Sequence, residues 1–318
     1  MTELDPELEA LLPAIAPLDL RNIDPLRRNL VLAAETAEAR LGPLSEQVDV
    51  TDVTINDDPS GRQVRVRVMS PRERQGQIAG ILYIHGGAFV LGDVDANARL
   101  SVRYVDAVPA VVVHVDYRLA PEHPFPAAYD DCLAALGWMR RNAVSLGIDP
   151  DRTGVVGSSA GGGLAAAVGL ADRGSEHVPL RCLALMYPVL DDRLTTPSST
   201  GSPQAPLWTS TDMKLMWDMY LGELPAGSAD VPSTAAPARE TNLSGLPPTL
   251  VVACDLDPLR DEDIEFAGRL AASGVTTELK LYEKTFHGFD HLDSVISVRS
   301  RSDQIEFLRR HLRRHLPG

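Results

Sequence analysis

The serine at position 159 is the residue in this sequence best placed to act as a nucleophile. It is the central residue of Gly157-Ser158-Ser159-Ala160-Gly161, a G-x-S-x-G pattern between an apolar run with β-branched residues and an Ala/Leu-rich run. That pattern places a serine on a strained turn between a strand and a helix. The N–H groups at the start of the helix favour negative charge that develops beside the serine. The stretch therefore predicts an attacking hydroxyl, and the flanking glycines are expected because a Cβ there would crowd strand and helix.

A serine hydroxyl needs a base to take its proton, and the base needs a third group to orient it. Two later segments offer these partners, each directly after a predicted strand. Asp257 follows the run 249–254, with Asp255 as the rival acid, and His287 follows the run 276–282. Both positions fall at the carboxyl ends of strands, where ligands bind in open α/β sheets. We expect Ser159, His287 and Asp257 to act together, and we expect His291 to lie on the following helix.

Acyl transfer also requires donors for the oxyanion that forms at the attacked carbonyl. His85-Gly86-Gly87-Ala88-Phe89 directly follows the predicted strand 79–84. Glycines let backbone N–H groups turn toward a bound oxygen without interference from side chains. The sequence predicts Gly86, Gly87 and Ala160 as the three donors, and His85 as a structural residue that holds the loop.

The elements that must position these residues alternate along the chain. Short apolar runs alternate with helical stretches from Ile78 onward, which indicates a mostly parallel sheet with helices on both faces. Residues 48–55 and 63–69 alternate with period two around a turn at 57–61, which predicts an antiparallel hairpin. The predicted strands are 79–84, 110–115, 152–156, 180–187, 249–254 and 276–282, and the predicted helices are 95–107, 127–145, 160–173, 260–273 and 291–315.

Two segments do not fit the alternation. Residues 4–41 predict two short helices broken around prolines, and residues 191–247 form a Pro-, Ser- and Thr-rich insertion. The insertion contains bulky apolar residues that a solvated loop would not carry, among them Trp208, Met213 and Trp217. We expect both segments to form a roof over Ser159 rather than a surface loop.

Composition excludes several other classes of function. The chain has 318 residues and a formal net charge of −14, which argues against nucleic acid as a partner because phosphate binding needs a basic surface. Neither H-E-x-x-H nor a His/Cys cluster with ligand spacing is present, so we expect no metal and no cofactor. Three widely separated cysteines, an acidic start and the lack of a long apolar run predict a cytoplasmic protein without a secretory signal or a membrane span.

Four stretches together resemble the hormone-sensitive-lipase-like esterase family of α/β-hydrolases, in its bacterial branch. The resemblance implies an eight-stranded sheet whose first two strands form the antiparallel part, and a helical cap. It divides the chain into N-terminal cap helices (1–45), a first core part (46–190), a cap insertion (191–247) and a second core part (248–318). The stretches are His85–Phe89, Asp116–Glu122, Gly157–Gly162, and Asp257-Pro258-Leu259 with His287-Gly288-Phe289.

The sequence departs from the family pattern at two positions. Ala88 stands where the family has a third glycine, and Ser158 precedes the nucleophile where the family often has aspartate. A methyl group at position 88 narrows the space beside the substrate without removing a backbone N–H, so substrate range is affected rather than chemistry. The residues expected to line the substrate pocket are Ala88, Phe89, Ser158, Trp208, Met213 and Trp217.

The expected reaction is hydrolysis of short- to medium-chain carboxylic esters through an acyl-enzyme. An amidase or deacetylase with the same three residues, and a small-molecule binding protein on the same fold, are the alternatives. Plant hormone receptors that resemble the family lack the triad histidine, whereas Ser159, Asp257 and His287 are all present here. The expected partner is a small-molecule ester; a homodimer is left open.

Overall fold

The computed structural model describes residues 3–15, 18–41, 47–56, 61, 63–201 and 205–314. Its centre is an eight-stranded sheet with the strand order β1-β2-β4-β3-β5-β6-β7-β8. The strands are β1 (Val48–Ile55), β2 (Val64–Pro71), β3 (Ile78–Ile84), β4 (Ala110–Asp116), β5 (Ile148–Ser158), β6 (Cys182–Met186), β7 (Thr249–Cys254) and β8 (Thr277–Tyr282).

Strand β2 is antiparallel to both of its neighbours, β1 and β4. All neighbouring pairs in the remaining order β4-β3-β5-β6-β7-β8 are parallel. The predicted hairpin, its buried face and the eight-stranded, mostly parallel sheet are therefore confirmed. Val64, Val66 and Val68 of β2 are buried, whereas Arg65 and Arg67 on the other face bind Asp52 of β1. The turn predicted at 57–61 lies outside the described residues except for Gly61.

Helices precede the first strand, lie between the later strands and follow the last strand. The described helices are α1 (Pro6–Leu11), α2 (Ile23–Leu41), α3 (Ala98–Ala107), α4 (Ala127–Arg141), α5 (Ala143–Leu146), α6 (Ala160–Asp172), α7 (Pro197–Gly201), α8 (Ser210–Leu221), α9 (Arg260–Ala272) and α10 (Val295–His311). Several predicted boundaries were wrong. The helix expected at 127–145 is divided at Asn142, β5 begins four residues earlier than expected, α10 begins four residues later, and α3 begins three residues later. No described helix is both long and apolar enough to span a membrane.

The strands bury side chains on both faces of the sheet, as alternation along β4 illustrates. Val111, Val113 and Val115 belong to a core on one face, together with Leu136 of α4 and Leu164 of α6. The intervening Val112 belongs to a second core on the other face, with Val105 of α3 and Phe307 of α10. Successive side chains of a strand point to opposite faces, so helices on both sides can bury this β-branched run completely.

The loops at the carboxyl ends of β3, β5, β7 and β8 meet at one edge of the sheet, because these strands are parallel. The two segments that do not fit the alternation lie near the same edge. Ile15, Leu18 and Leu30 from the N-terminal segment, and Leu207 and Trp208 from the 191–247 insertion, line a cavity beside Ser159.

Candidate active site

Ser159 lies on a sharp turn between β5 and α6, with φ +55° and ψ −123°. A side chain at the flanking glycines would leave no space for this turn. A Cβ at Gly157 would lie 2.1 Å from the carbonyl oxygen of Gly161, and one at Gly161 would lie 2.2 Å from that of Ile84. The Ser159 N–H donates to the carbonyl of Met186 at 2.9 Å, so β6 holds the strained residue in place.

Three side chains from three loops form a continuous chain of hydrogen bonds. His287 Nε2 lies 2.8 Å from Ser159 Oγ, and His287 Nδ1 lies 2.7 Å from Asp257 Oδ2. Because a carboxylate only accepts hydrogen bonds, Nδ1 carries the proton and Nε2 is left to accept from the serine hydroxyl. The other Asp257 oxygen accepts from the Leu259 N–H at 3.0 Å, which fixes the orientation of the carboxylate. Asp257 is buried, whereas His287 remains slightly exposed.

Asp255, the rival acid, makes its contacts with Lys284 and Arg260. Its N–H donates to the carbonyl of Tyr282, and its Oδ2 accepts from the backbone N–H of Lys284 at 3.4 Å. Its other oxygen lies 3.8 Å from the Arg260 guanidinium. The geometry therefore places Asp257, and not Asp255, at the histidine.

Two aromatic rings pack against the His287 imidazole. Trp208 stacks on it with ring centroids 5.6 Å apart and an interplanar angle of 21°, and Tyr187 meets it edge-on at 4.8 Å. Trp208 is buried although it belongs to the 191–247 insertion. The insertion and the end of β6 thus restrict rotation of the imidazole.

The loop after β3 brings two backbone N–H groups to the serine. Gly87 has φ +128°, and a Cβ there would lie 2.1 Å from the carbonyl oxygen of Leu91; one at Gly86 would lie 2.9 Å from that of Ser158. Within the described residues neither N–H has an acceptor in the protein. Ala160 is the first residue of α6, where an N–H has no intrahelical acceptor. These three groups are the donors that the sequence predicts for an oxyanion.

His85 stabilises the conformation of this loop. Its ring is buried, stacks on Tyr117 at 4.2 Å, and its Nδ1 lies 2.8 Å from the carbonyl oxygen of Gly86. The Tyr117 hydroxyl donates to the His85 carbonyl at 2.9 Å. Burial lowers the pKa of His85 to about 4, so the ring is neutral near pH 7 and its Nδ1–H can donate to the loop.

The cavity beside Ser159 has a volume of about 330 Å³ and mostly apolar walls. Three of the residues expected there, Ala88, Ser158 and Trp208, line it. Further lining residues were not predicted from the sequence. One of them, Tyr187, directly follows β6, and a position directly after a strand is the feature that identified Asp257 and His287. The missed side chains are Ile15, Leu18, Leu30, Leu91, Asn97, Tyr187, Leu207, Phe286, His291 and Leu292.

Phe89, Met213 and Trp217 do not line this cavity, so their assignment to the pocket was wrong. Phe89 stacks on Tyr220 of α8 with ring centroids 3.7 Å apart. The ring centroids of Phe89 and Trp217 are 6.1 Å apart. All three residues are buried in the core between the insertion and the sheet. His291 was also misplaced, because it ends a 3₁₀ turn (Phe289–His291) and precedes α10.

Two further carboxyl groups, Glu262 and Asp263, are buried in the first turn of α9. Glu262 Oε1 accepts from the N–H groups of Leu190 and Asp191, whereas neither oxygen of Asp263 has a hydrogen-bond partner among the described residues. Burial, together with the nearby carboxyls of Glu262 and Asp257, raises the pKa of Asp263 well above its usual range. The site thus disfavours a charged Asp263.

We expect Asp263→Asn to stabilise the protein increasingly as pH rises. A carboxyl whose pKa is higher in the folded state contributes stability at low pH, and this contribution is lost as pH rises from about 4 toward the folded pKa, by up to about 1.4 kcal/mol per pH unit. Asparagine has no charge to bury. Thermal unfolding of both proteins from pH 4.5 to 8 measures the effect. A difference in melting temperature that is the same at every pH would contradict this account.

Comparisons with known proteins agree with this geometry. The model of a family described as having the alpha/beta hydrolase fold matches residues 81–291. The esterase LipI of Mycobacterium tuberculosis is 34% identical over 87% of this chain and 88% of its own length. The carboxylesterase NlhH of the same species is 33% identical over 92% and 91%. A solved structure, a bacterial heroin esterase, superposes with a TM-score of 0.92 at 38% identity and covers 98% of both chains.

Proposed function

Because the chain belongs to the hormone-sensitive-lipase-like family of α/β-hydrolases and is a carboxylesterase, we propose that it cleaves short- to medium-chain acyl esters through Ser159, His287 and Asp257. The observation that carries the proposal is the unbroken line of hydrogen bonds from Ser159 Oγ through His287 to Asp257, at 2.8 and 2.7 Å. A serine that donates to an oriented, neutral imidazole is activated as a nucleophile.

In the first half of the reaction Ser159 Oγ attacks the ester carbonyl carbon while its proton passes to His287 Nε2. The carbonyl oxygen becomes an oxyanion and accepts hydrogen bonds from the N–H groups of Gly86, Gly87 and Ala160. The tetrahedral intermediate then expels the alcohol, and His287 Nε2–H gives that alcohol its proton. The acyl group remains on Ser159.

In the second half a water molecule repeats the attack. His287 takes a proton from the water, the acyl–Ser159 bond breaks through a second oxyanion, and the proton returns to Ser159 Oγ as the carboxylic acid leaves. Asp257 does not take up a proton in either half. It accepts from His287 Nδ1 throughout, so it holds the tautomer and stabilises the imidazolium that forms twice in each cycle.

The two segments that do not fit the alternation, residues 1–45 and 191–247, form the cap in this proposal. Support comes from side chains of both segments in the cavity wall, among them Leu18, Leu30 and Trp208. A roof over the serine limits the depth of the pocket and the access of bulk water to it. The apolar walls fit an acyl chain or an apolar alcohol of limited size.

Activity should therefore depend on acyl length. Each added methylene that is buried improves binding by about 0.8 kcal/mol, or roughly fourfold in kcat/KM. We expect activity with p-nitrophenyl esters to rise from acetate to about butyrate or hexanoate and to fall beyond about ten carbons, when the chain no longer fits a cavity of this size. The measurement is kcat/KM across the series, with Ser159→Ala as the background control.

The same experiment should include emulsified long-chain triacylglycerol. A lipase that acts on aggregated fat needs a broad exposed apolar surface around an open site, whereas here the insertion packs over His287. Preference for the emulsion over soluble short esters would overturn the proposal of a capped esterase.

A further inference from the structure

Several polar side chains in the cavity wall take no direct part in the proposed reaction, and His291 is one of them. His291 lies four residues after His287, at the end of the 3₁₀ turn Phe289–His291, and its side chain is 36% exposed. Nearby wall residues such as Leu207, Phe286 and Leu292 are apolar. A polar group in a mostly apolar pocket usually fixes the orientation or the identity of the ligand.

The protonation of His291 follows from its neighbours, beginning with Tyr187 and Asp290. The Tyr187 hydroxyl lies 2.6 Å from Asp290 Oδ1, and Gln304 Nε2 donates to the other oxygen at 2.8 Å. Burial alone would raise the pKa of Asp290, but the positive charge of Arg103 and these hydrogen bonds counter it and hold the pKa below its usual value. Asp290 is therefore a carboxylate that can only accept, so the hydroxyl proton of Tyr187 points to it.

The Tyr187 oxygen is then left to accept a hydrogen bond, and His291 Nε2 lies 3.2 Å away. Since this contact needs a proton on Nε2, the neutral ring keeps an unprotonated Nδ1. Partial burial of the ring lowers the pKa of His291 below its usual value, which favours the neutral ring near pH 7. Among the described residues Nδ1 has no hydrogen-bond partner.

The free Nδ1 lies on the side of the ring that faces Gly288. A Cβ built at Gly288 would lie 4.0 Å from it, and Gly288 itself lines the cavity next to His287. Gly288 and His291 both line the cavity beside Ser159, so the acceptor lies at the wall of the cavity that would hold the ester.

We propose that His291 is a specificity-determining residue whose Nδ1 accepts a hydrogen bond from a donor on the substrate, such as a hydroxyl or N–H group. The preferred substrates are then esters that carry a hydrogen-bond donor a few atoms from the scissile bond. The inference rests on the proposed function, because it concerns the same pocket and reaction.

The test compares esters in which a methyl ether replaces the hydroxyl, a change that removes the donor and adds one methyl group. One pair, 2-hydroxyethyl butyrate and 2-methoxyethyl butyrate, places the group on the alcohol side. The other pair, ethyl 3-hydroxybutyrate and ethyl 3-methoxybutyrate, places it on the acyl side. A neutral hydrogen bond corresponds to about three- to tenfold in kcat/KM, so we expect the hydroxy ester to be preferred by that factor in at least one pair.

Two substitutions assign the preference to His291. His291→Leu removes the acceptor and should lower the hydroxy/methoxy ratio by about three- to tenfold relative to the wild type, because any general change in activity cancels in this ratio. Ethyl butyrate, which carries no donor, is measured as the reference ester. His291→Asn keeps a side-chain oxygen near the position of Nδ1 and should retain the preference. A purely structural role would affect all esters alike and would not be rescued by asparagine.

The outcomes separate this inference from the proposed function. Hydrolysis of both pairs with a ratio near one in the wild type, or with a ratio that His291→Leu leaves unchanged, would overturn the role of His291 and leave the esterase proposal standing. Failure of the folded wild type to hydrolyse any of the five esters would instead overturn the proposed function.

Discussion

Replacing Ser159 with alanine is expected to lower kcat by about six orders of magnitude. Among the described residues the Oγ atom is the only hydroxyl that is hydrogen-bonded to His287, so its loss removes both the nucleophile and the acyl-enzyme. The pocket and the N–H groups of Gly86, Gly87 and Ala160 remain, and they should support only slow attack by water. KM should change little, because no other contact with the substrate is lost.

The adjacent serine provides the matched comparison for this variant. Ser158 is also buried and also lines the cavity, but the hydrogen bond of His287 Nε2 is made to Ser159. Ser158→Ala should retain activity within about tenfold of the wild type. Thermal unfolding should show that Ser159→Ala is folded, since alanine keeps the Cβ and the strained turn. A folded Ser159→Ala protein with activity close to that of the wild type would contradict the assignment.

Asp257→Asn is expected to lower kcat by about four orders of magnitude without unfolding the protein. The reason is the hydrogen bond that Asp257 Oδ1 accepts from the Leu259 N–H. Because the Leu259 N–H requires an acceptor, the amide oxygen of asparagine should face Leu259 and its NH₂ group should face His287 Nδ1. Nδ1 must then lose its proton, and Nε2–H can no longer accept the proton of Ser159.

Asp255→Asn is the matched control, two residues away on the same loop. Its side chain contacts the Lys284 N–H and lies near Arg260, and we expect a loss of no more than about tenfold. Steady-state kinetics of both variants, with circular dichroism to verify folding, measure the difference. Equal losses, or a larger loss for Asp255→Asn, would contradict the assignment of Asp257 as the acid.

Much of this site could be predicted from the sequence because its chemistry depends on strand order. In a parallel sheet the loops after β5, β7 and β8 meet at one edge, so a serine, an aspartate and a histidine in those loops are brought together wherever the chain forms these strands. The glycines beside Ser159 and in the loop after β3 were equally informative. Each occupies a place where a Cβ would meet backbone at 2.1 to 2.9 Å.

The cavity wall was harder to predict, and the reason is physical. Residues such as Met213 and Trp217 show that α8 is buried, but an apolar helix face can pack on a core or on an empty pocket with the same spacing. In this structure the stacking of Phe89 on Tyr220 shows that α8 packs on the core. That stacking depends on tertiary contacts, which cannot be predicted from the local sequence pattern. His291 was missed for a similar reason, since the 3₁₀ turn that presents it to the cavity directly precedes α10.

Covalent labelling by an organophosphate ester such as diethyl p-nitrophenyl phosphate tests the central claim most directly. The phosphorus centre reacts with an activated serine and releases p-nitrophenol, leaving a stable phosphoryl group on the enzyme. We expect a single adduct per chain, located on Ser159 by peptide mass spectrometry. It should form in proportion to the loss of esterase activity and be absent from Ser159→Ala. Full loss of activity with an adduct at another residue, or a labelled Ser159 in a fully active enzyme, would contradict the central claim.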